Sequence, residues 1–359
     1  MTSLEGVHDG HGATYTQRGG RRVVDHYGRP ERTHHAVRNA VGVTERPDDV
    51  LAITGEDRHA FVNDAVSNAV PTGDGRGVYA LLLDPQGTIR TEMYVLAADE
   101  RLLVFLPPGE GEPLAEEWRG KTFIQDVDIE VVTDDVVVFG VHGPKATEKI
   151  ASVFTETTPD EPLSFVRGPM GDAGVTVVRD DGLTGEEGYL VVCGADHVKD
   201  VFDTLENRGL NAVPFGETVW NTLTLEAGTP LFETELRDRV PNRLGLRTAV
   251  DFEKGCFVGQ EIVSRIENRG QPGCRLVGLA PDRVPETGAA VFDGDESVGA
   301  VTRGVESPSL ETPIALAVVD EDAGDSLTVR IDGDEVAAER RSLPFVEGSD
   351  SSARLPQYP

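Results

Sequence analysis

The densest chemistry in this chain lies in the segment Lys254-Gly255-Cys256-Phe257-Val258-Gly259-Gln260-Glu261. Cys256 follows Lys254 by two residues and stands just ahead of a helix expected to start near Gly259. An ammonium group and a helix N-terminus could therefore both stabilise a thiolate, the nucleophilic form of cysteine. The same spacing suits a small buried cysteine used for packing. Around it, the interval 237–275 carries eight basic residues (Arg237, Arg239, Arg243, Arg247, Lys254, Arg265, Arg269, Arg275) against five acidic ones (Asp238, Asp251, Glu253, Glu261, Glu267). A locally positive stretch reads either as a pocket for an anionic ligand such as a carboxylate tail or as a ladder of ion pairs with neighbouring acids.

Other candidate sites are weaker. Cys193 and Cys274 complete an odd, widely spaced set of 3 cysteines, which fits neither a disulfide framework nor a CxxC site, so any thiol chemistry falls to single cysteines. Five of the 8 histidines (His8, His11, His26, His34, His35) fall in the first forty residues. Their irregular spacing and the lack of a nearby cysteine favour ordinary surface and core histidines over a metal site. The cluster Gly73-Asp74-Gly75-Arg76-Gly77 follows a helix and precedes a strand, the reverse of a dinucleotide loop, and reads as a turn. P-loop, HExxH and GxSxG patterns do not occur.

The elements that must position these residues follow from apolar periodicity. Residues 50–53 read as a strand, Gly55 as a turn, and Phe61, Val62, Ala65, Val66, Ala69 and Val70 as one face of a helix that Pro71 ends. Runs at 78–83, 89–97 and 102–106, separated by short polar turns, predict an antiparallel meander, with a helix over 112–121. The strand-Gly-helix pattern recurs over 136–154, followed by strands at 175–178 and 189–193, a helix over 196–207 and another from Gly216 to Ala227. Beyond Pro272 short apolar runs alternate with Gly, Pro and Asp turns, predicting a small barrel or sandwich. The expected organisation is a first, discontinuous α+β domain over 1–134, a second over 135–210, a return to the first over 211–271, a β-barrel over 272–345 and a polar, disordered tail over 346–359.

Charge bounds the partners. The chain holds 63 acidic and 33 basic residues, net -30, and only five of the basic residues are lysine. Such a surface repels nucleic acid and anionic membranes, and its even spread along the chain reads as adaptation to concentrated salt. No stretch reaches the roughly 20 apolar residues of a transmembrane helix, and residues 1–20 carry no signal pattern, so a cytoplasmic protein is expected.

The eight residues 254–261 match the KGC[YF]xGQE signature, and the chain thereby resembles the folate-binding YgfZ family, relatives of the glycine cleavage T-protein (aminomethyltransferase). His34-His35-Ala36-Val37-Arg38 resembles the superfamily's EHxAVR element, Thr184-Gly185-Glu186-Glu187-Gly188-Tyr189 its TGExGY, and Leu225-Glu226-Ala227-Gly228 its LEAG. The resemblance implies an α+β, three-domain cloverleaf, with two α+β domains and a C-terminal β-barrel around a central channel for tetrahydrofolate. It further implies that Cys256 is the functional thiol, with Lys254, Gln260 and Glu261 shaping its pocket. Glu186 would accept the paired N–H donors of the pterin edge, and Arg265 and Arg269 would meet the glutamate tail.

Two departures separate this chain from T-proteins. Their consecutive aspartates, which handle the folate nitrogen, are replaced by Thr91-Glu92. Their ARDxLRLEAG reads Val219-Trp220-Asn221-Thr222-Leu223-Thr224-Leu225-Glu226-Ala227-Gly228, with Trp220 in place of an arginine at the folate site. The reading this supports is a folate-binding accessory protein for assembly or repair of iron-sulfur client proteins, a role that comes entirely from the family. The alternative is an aminomethyltransferase that moves a one-carbon unit to tetrahydrofolate, with Glu92 as its acid.

Overall fold

The computed structural model describes residues 4–269 and 272–358. The expected meander forms strands Arg76–Leu83, Ile89–Ala98 and Arg101–Leu106, joined in sequence by short turns and paired antiparallel. Asp49–Thr54 and Asp128–Val131 complete a five-stranded sheet. Strand alternation divides its side chains cleanly. Leu51, Ile53, Met93, Val95 and Val104 pack under helices Arg58–Ala65 and Gly111–Arg119, whereas Val50, Tyr79, Leu81, Tyr94, Leu96 and Phe105 face the molecular centre.

A second, six-stranded sheet runs in the order Phe165–Met170, Ala173–Arg179, Gly188–Gly194, Val136–His142, Gly42–Arg46, Val213–Pro214. Helices Ala146–Val153 and Val198–Asn207 cover one face, while Val138, Val178, Leu190 and Val192 join the central core. The strand-Gly-helix repeat has a steric basis. Gly55 (φ 102) and Gly143 (φ 136) each turn the chain where a Cβ would lie 2.1 Å from Asp126 O or 2.5 Å from Ala40 O, so only glycine fits.

The 1–134 boundary needs correction, because Gly42–Arg46 pairs with Val136–His142 and so belongs to the second sheet. The first forty residues, weak in periodicity, form helix Glu5–Gly10, hairpin Thr14–Arg18 with Arg21–His26, and helix Pro30–Asn39. Between residues 217 and 263, Leu225, Phe232, Leu236, Leu244, Phe257 and Val263 pack against the central core. The expected boundary at 271 lies outside the described residues.

The C-terminal runs close into a six-stranded barrel, Cys274–Pro281, Thr312–Asp320, Glu296–Ser307, Ala290–Asp293, Ser326–Ile331 and Asp334–Arg341. The last of these escaped the sequence reading because only Val336 and Ala338 of it are buried, among charged neighbours.

The tail is ordered over its described residues, 346–358. Ser352 and Arg354 are buried, the Ser349 amide donates to Glu186, Asp350 pairs with Arg179, Thr248 Oγ1 donates to Ala353 O, and the Gln357 amide donates to Gly245 O. Its polar residues find partners in the protein rather than in water, which composition alone does not reveal. Among the described residues no helix is long and apolar enough to cross a membrane.

Candidate functional site

Where the two sheets face each other a narrow cleft opens, walled by residues that include Glu92, Tyr94, Arg46, Trp220, Phe232 and Arg354. Glu92 and Tyr94 share the inward face of strand Ile89–Ala98, and Arg46 ends strand Gly42–Arg46 of the other sheet. Trp220 projects from helix Glu217–Glu226, and Arg354 comes from the C-terminal segment.

Glu92 Oε2 accepts hydrogen bonds from the Tyr79 hydroxyl (2.6 Å) and from Arg354 Nη1 (2.7 Å), and among the described residues nothing donates to Oε1. Arg354 Nη2 donates to the Tyr94 hydroxyl (2.5 Å), which in turn donates to Asp181 (2.9 Å). Burial pushes the Asp181 carboxyl up to about 6 against the pull of Arg354. Arg46 stacks over Trp220, 4.6 Å from the ring centroid, and donates to Asp48 through Nη2 (3.2 Å). Its Nε and Nη1 are buried with no partner among the described residues. Glu217, also in the wall, is pushed up by burial although Arg18 pairs with it at 2.7 Å. The cleft therefore offers the Glu92 Oε1 oxygen, aromatic side chains and the Arg46 guanidinium, two of whose nitrogens have no partner among the described residues. A flat ring bearing N–H donors and an anionic group would match these. Glu45, Arg46, Pro47 and Asp48 also wall a second hollow against the N-terminal hairpin.

Of the residues singled out from sequence, Glu92 and Trp220 line this cleft, and the others do not. Glu186 is buried with Oε1 accepting from Arg38 Nη1 (3.0 Å) and Oε2 from the amide (2.9 Å) and hydroxyl (2.6 Å) of Ser349. Both oxygens expected to take a pterin edge are engaged by the chain itself. Lys254 is turned away from any thiolate role. Its Nζ donates to the carbonyls of Asn63, Val66 (2.6 Å) and Asn68 (2.8 Å), around the end of helix Arg58–Ala65. Burial draws its ammonium down to about 8.

Cys256 is exposed in the loop before helix Gln260–Arg269. On that helix Glu261 and Arg265 pair with each other in solvent (2.6 Å), Arg269 is exposed, and the Gln260 side chain donates to the Lys254 carbonyl (3.5 Å). The positive stretch is largely balanced locally: Arg237 pairs with Glu110, Arg247 with Glu267 and Arg275 with Glu321. The ion-pair ladder, not an anion pocket, accounts for it.

The three shorter motifs instead meet in one buried cluster. Glu226 accepts from His34 Nε2 (2.9 Å), Arg38 Nη2 (2.8 Å) and Ser307 Oγ of the barrel (2.6 Å), and Arg38 bridges it to Glu186. Burial opposes the Glu226 charge, but the His34 and Arg38 contacts prevail and hold its carboxyl down at about 2. Sequence reasoning missed Arg46, Glu217, Tyr94 and Arg354. Arg354 stands in a polar, aperiodic terminus with no pattern to mark it, and Arg46 ends a strand that the periodicity did not reveal.

Residues 4–254 match the family model described as the GCVT N-terminal domain, and residues 275–347 match the glycine cleavage T-protein C-terminal barrel domain. An aminomethyltransferase of Cutibacterium acnes is 31% identical over 97% of this chain and 98% of its own length. A probable aminomethyltransferase of Halobacterium salinarum is 31% identical over 96% of this chain and 98% of its own. In fold, the chain superposes on the crystal structure of the glycine cleavage system aminomethyltransferase T from Bartonella henselae with a TM-score of 0.86, covering 96% of this chain and 97% of that one at 22% identity. These relatives overturn the reading as a YgfZ-like accessory to iron-sulfur proteins. The segment 254–261 that carried that reading lies outside the cleft, and relatives spanning nearly the whole chain are aminomethyltransferases.

Proposed function

The chain belongs to the glycine cleavage T-protein family, and from that premise we propose that it is an aminomethyltransferase whose one-carbon acceptor, tetrahydrofolate, binds in the cleft between Glu92 and Trp220. The observation that carries this reading is the Glu92 carboxylate, fixed through Oε2 and open to the cleft through Oε1. Thr91, which stands where T-proteins have the other aspartate, carries no acid and is buried on the opposite face of the strand.

The donor set suits the acceptor. Glu92 would take an N–H of the pterin, Trp220 and Phe232 would pack against its ring, and the Arg46 guanidinium, incompletely hydrogen-bonded among the described residues, would meet an anionic group. When bound, the folate supplies the nitrogen nucleophiles that receive the carbon. The chain holds the ring, excludes water with aromatic walls and accepts a proton at Glu92. Glu186 has no place in this arrangement, because its oxygens already hold Arg38 and Ser349.

The test is release of ammonia from an aminomethylated lipoyl carrier protein in the presence of tetrahydrofolate. Wild type should turn over, and Glu92→Gln should lose about 100-fold or more, the usual range for a positioned acid or base. Folate-independent release, or full activity in Glu92→Gln, would sink the assignment.

A further inference from the structure

The residue that orients Glu92 belongs to neither sheet. Arg354 sits 2% exposed, its guanidinium 4.2 Å from the Tyr79 ring centroid and 5.4 Å from that of Tyr94. Its Nη1 meets Glu92 Oε2 at 2.7 Å, and its Nη2 meets the Tyr94 hydroxyl. Two donors of a planar fork thus fix one carboxylate oxygen and the neighbouring phenol together, a geometry that an ammonium group cannot reproduce.

The segment that delivers it is stapled along its length. A Cβ on Gly348 would lie 1.9 Å from Gly185 O, which measures how closely the chain passes the Thr184–Tyr189 turn. Ser349 grips Glu186, the Ala353 amide donates to Asp181 O (2.9 Å), and the Tyr358 hydroxyl accepts from the Leu276 amide (2.7 Å). A charged side chain buried this deeply is costly unless paired, and its hydrogen-bonded carboxylate partner is Glu92, whose Oε1 accepts from no described residue.

Building on the proposed folate cleft, we infer that Arg354 is a positioning residue that completes the site from the C-terminal segment, holding Glu92 so that Oε1 faces the bound ligand. Arg354 acts through Glu92, so its removal should matter only while Glu92 can use the orientation.

The experiment is a double-mutant cycle on the full chain in molar KCl, reading calorimetric affinity for tetrahydrofolate together with the melting temperature. Arg354→Ala and Glu92→Gln should each weaken binding by about tenfold or more, and the double variant should bind no worse than the weaker single one, because the two act as a unit. Millimolar guanidinium should partly restore Arg354→Ala and leave Glu92→Gln unchanged. If Arg354→Ala melts too low to titrate, the same cycle with Arg354→Lys decides. It keeps the charge without the fork and should still lose affinity. Losses that multiply in the double variant, or unchanged binding in a folded Arg354 variant, would overturn this inference and leave the folate reading intact. No binding by wild type would overturn both.

Discussion

Glu226 shows how a motif residue can matter without touching a ligand. It is fully buried, yet held as a carboxylate by His34, Arg38 and Ser307, which come from one helix and the barrel. Its carboxyl is held at about 2 in the folded chain against an ordinary 4.5, so the cluster contributes stability that is fully present above pH 4.5 and lost as pH falls through about 2. A shift of this size corresponds to about 3 kcal/mol at neutral pH. Glu226→Gln should lower the urea midpoint at pH 7 by an equivalent amount, and the gap from wild type should narrow by pH 3. A gap that stays constant with pH would mean that lost packing, not lost charge pairing, destabilises the variant. The sequence made Glu226, His34, Arg38 and Glu186 visible as motif matches. Their mutual contact was not visible, since their separation along the chain exceeds one hundred residues for most pairs.

Among the elements, those with strong local signals were legible. The meander at 76–106, the two strand-Gly-helix units and most barrel strands came from periodicity and turn residues, which act over a few positions. Strand Gly42–Arg46 and the C-terminal segment were not legible, because their place is set by partners far along the chain. The segment 254–261 was legible as a motif but misleading as a site. Its lysine closes the end of helix Arg58–Ala65, donating to three carbonyls, and Gly259 (φ 82) presses against Asp84 O. This is the work of a structural clamp between the first sheet and helix Gln260–Arg269. Lys254→Met should therefore cost about 1–3 kcal/mol of stability through unsatisfied carbonyls, while folate affinity at low temperature stays at the wild-type value. A folded Lys254→Met protein that loses folate would return the segment to the site.

The whole molecule carries a net charge of -30 with 63 acidic side chains, and many of its arginines are paired at the surface. Two kinds of electrostatics must then respond differently to salt. Surface repulsion and surface pairs are screened as the Debye length falls from about 10 Å at 0.1 M to about 3 Å at 1 M, and the acidic excess makes repulsion the larger of the two. The buried clusters at Glu226 and at Arg354 exclude solvent and are screened far less. The melting temperature should accordingly climb steeply with KCl up to about 1 M and then flatten, because shortening an already sub-contact screening length changes little. Exclusion of salt from the protein surface would instead keep raising it beyond that point. A melting temperature indifferent to KCl below 1 M would mean that the acidic surface imposes no cost on the fold. A rise that continues undiminished would assign the stabilisation to surface exclusion rather than to relief of self-repulsion.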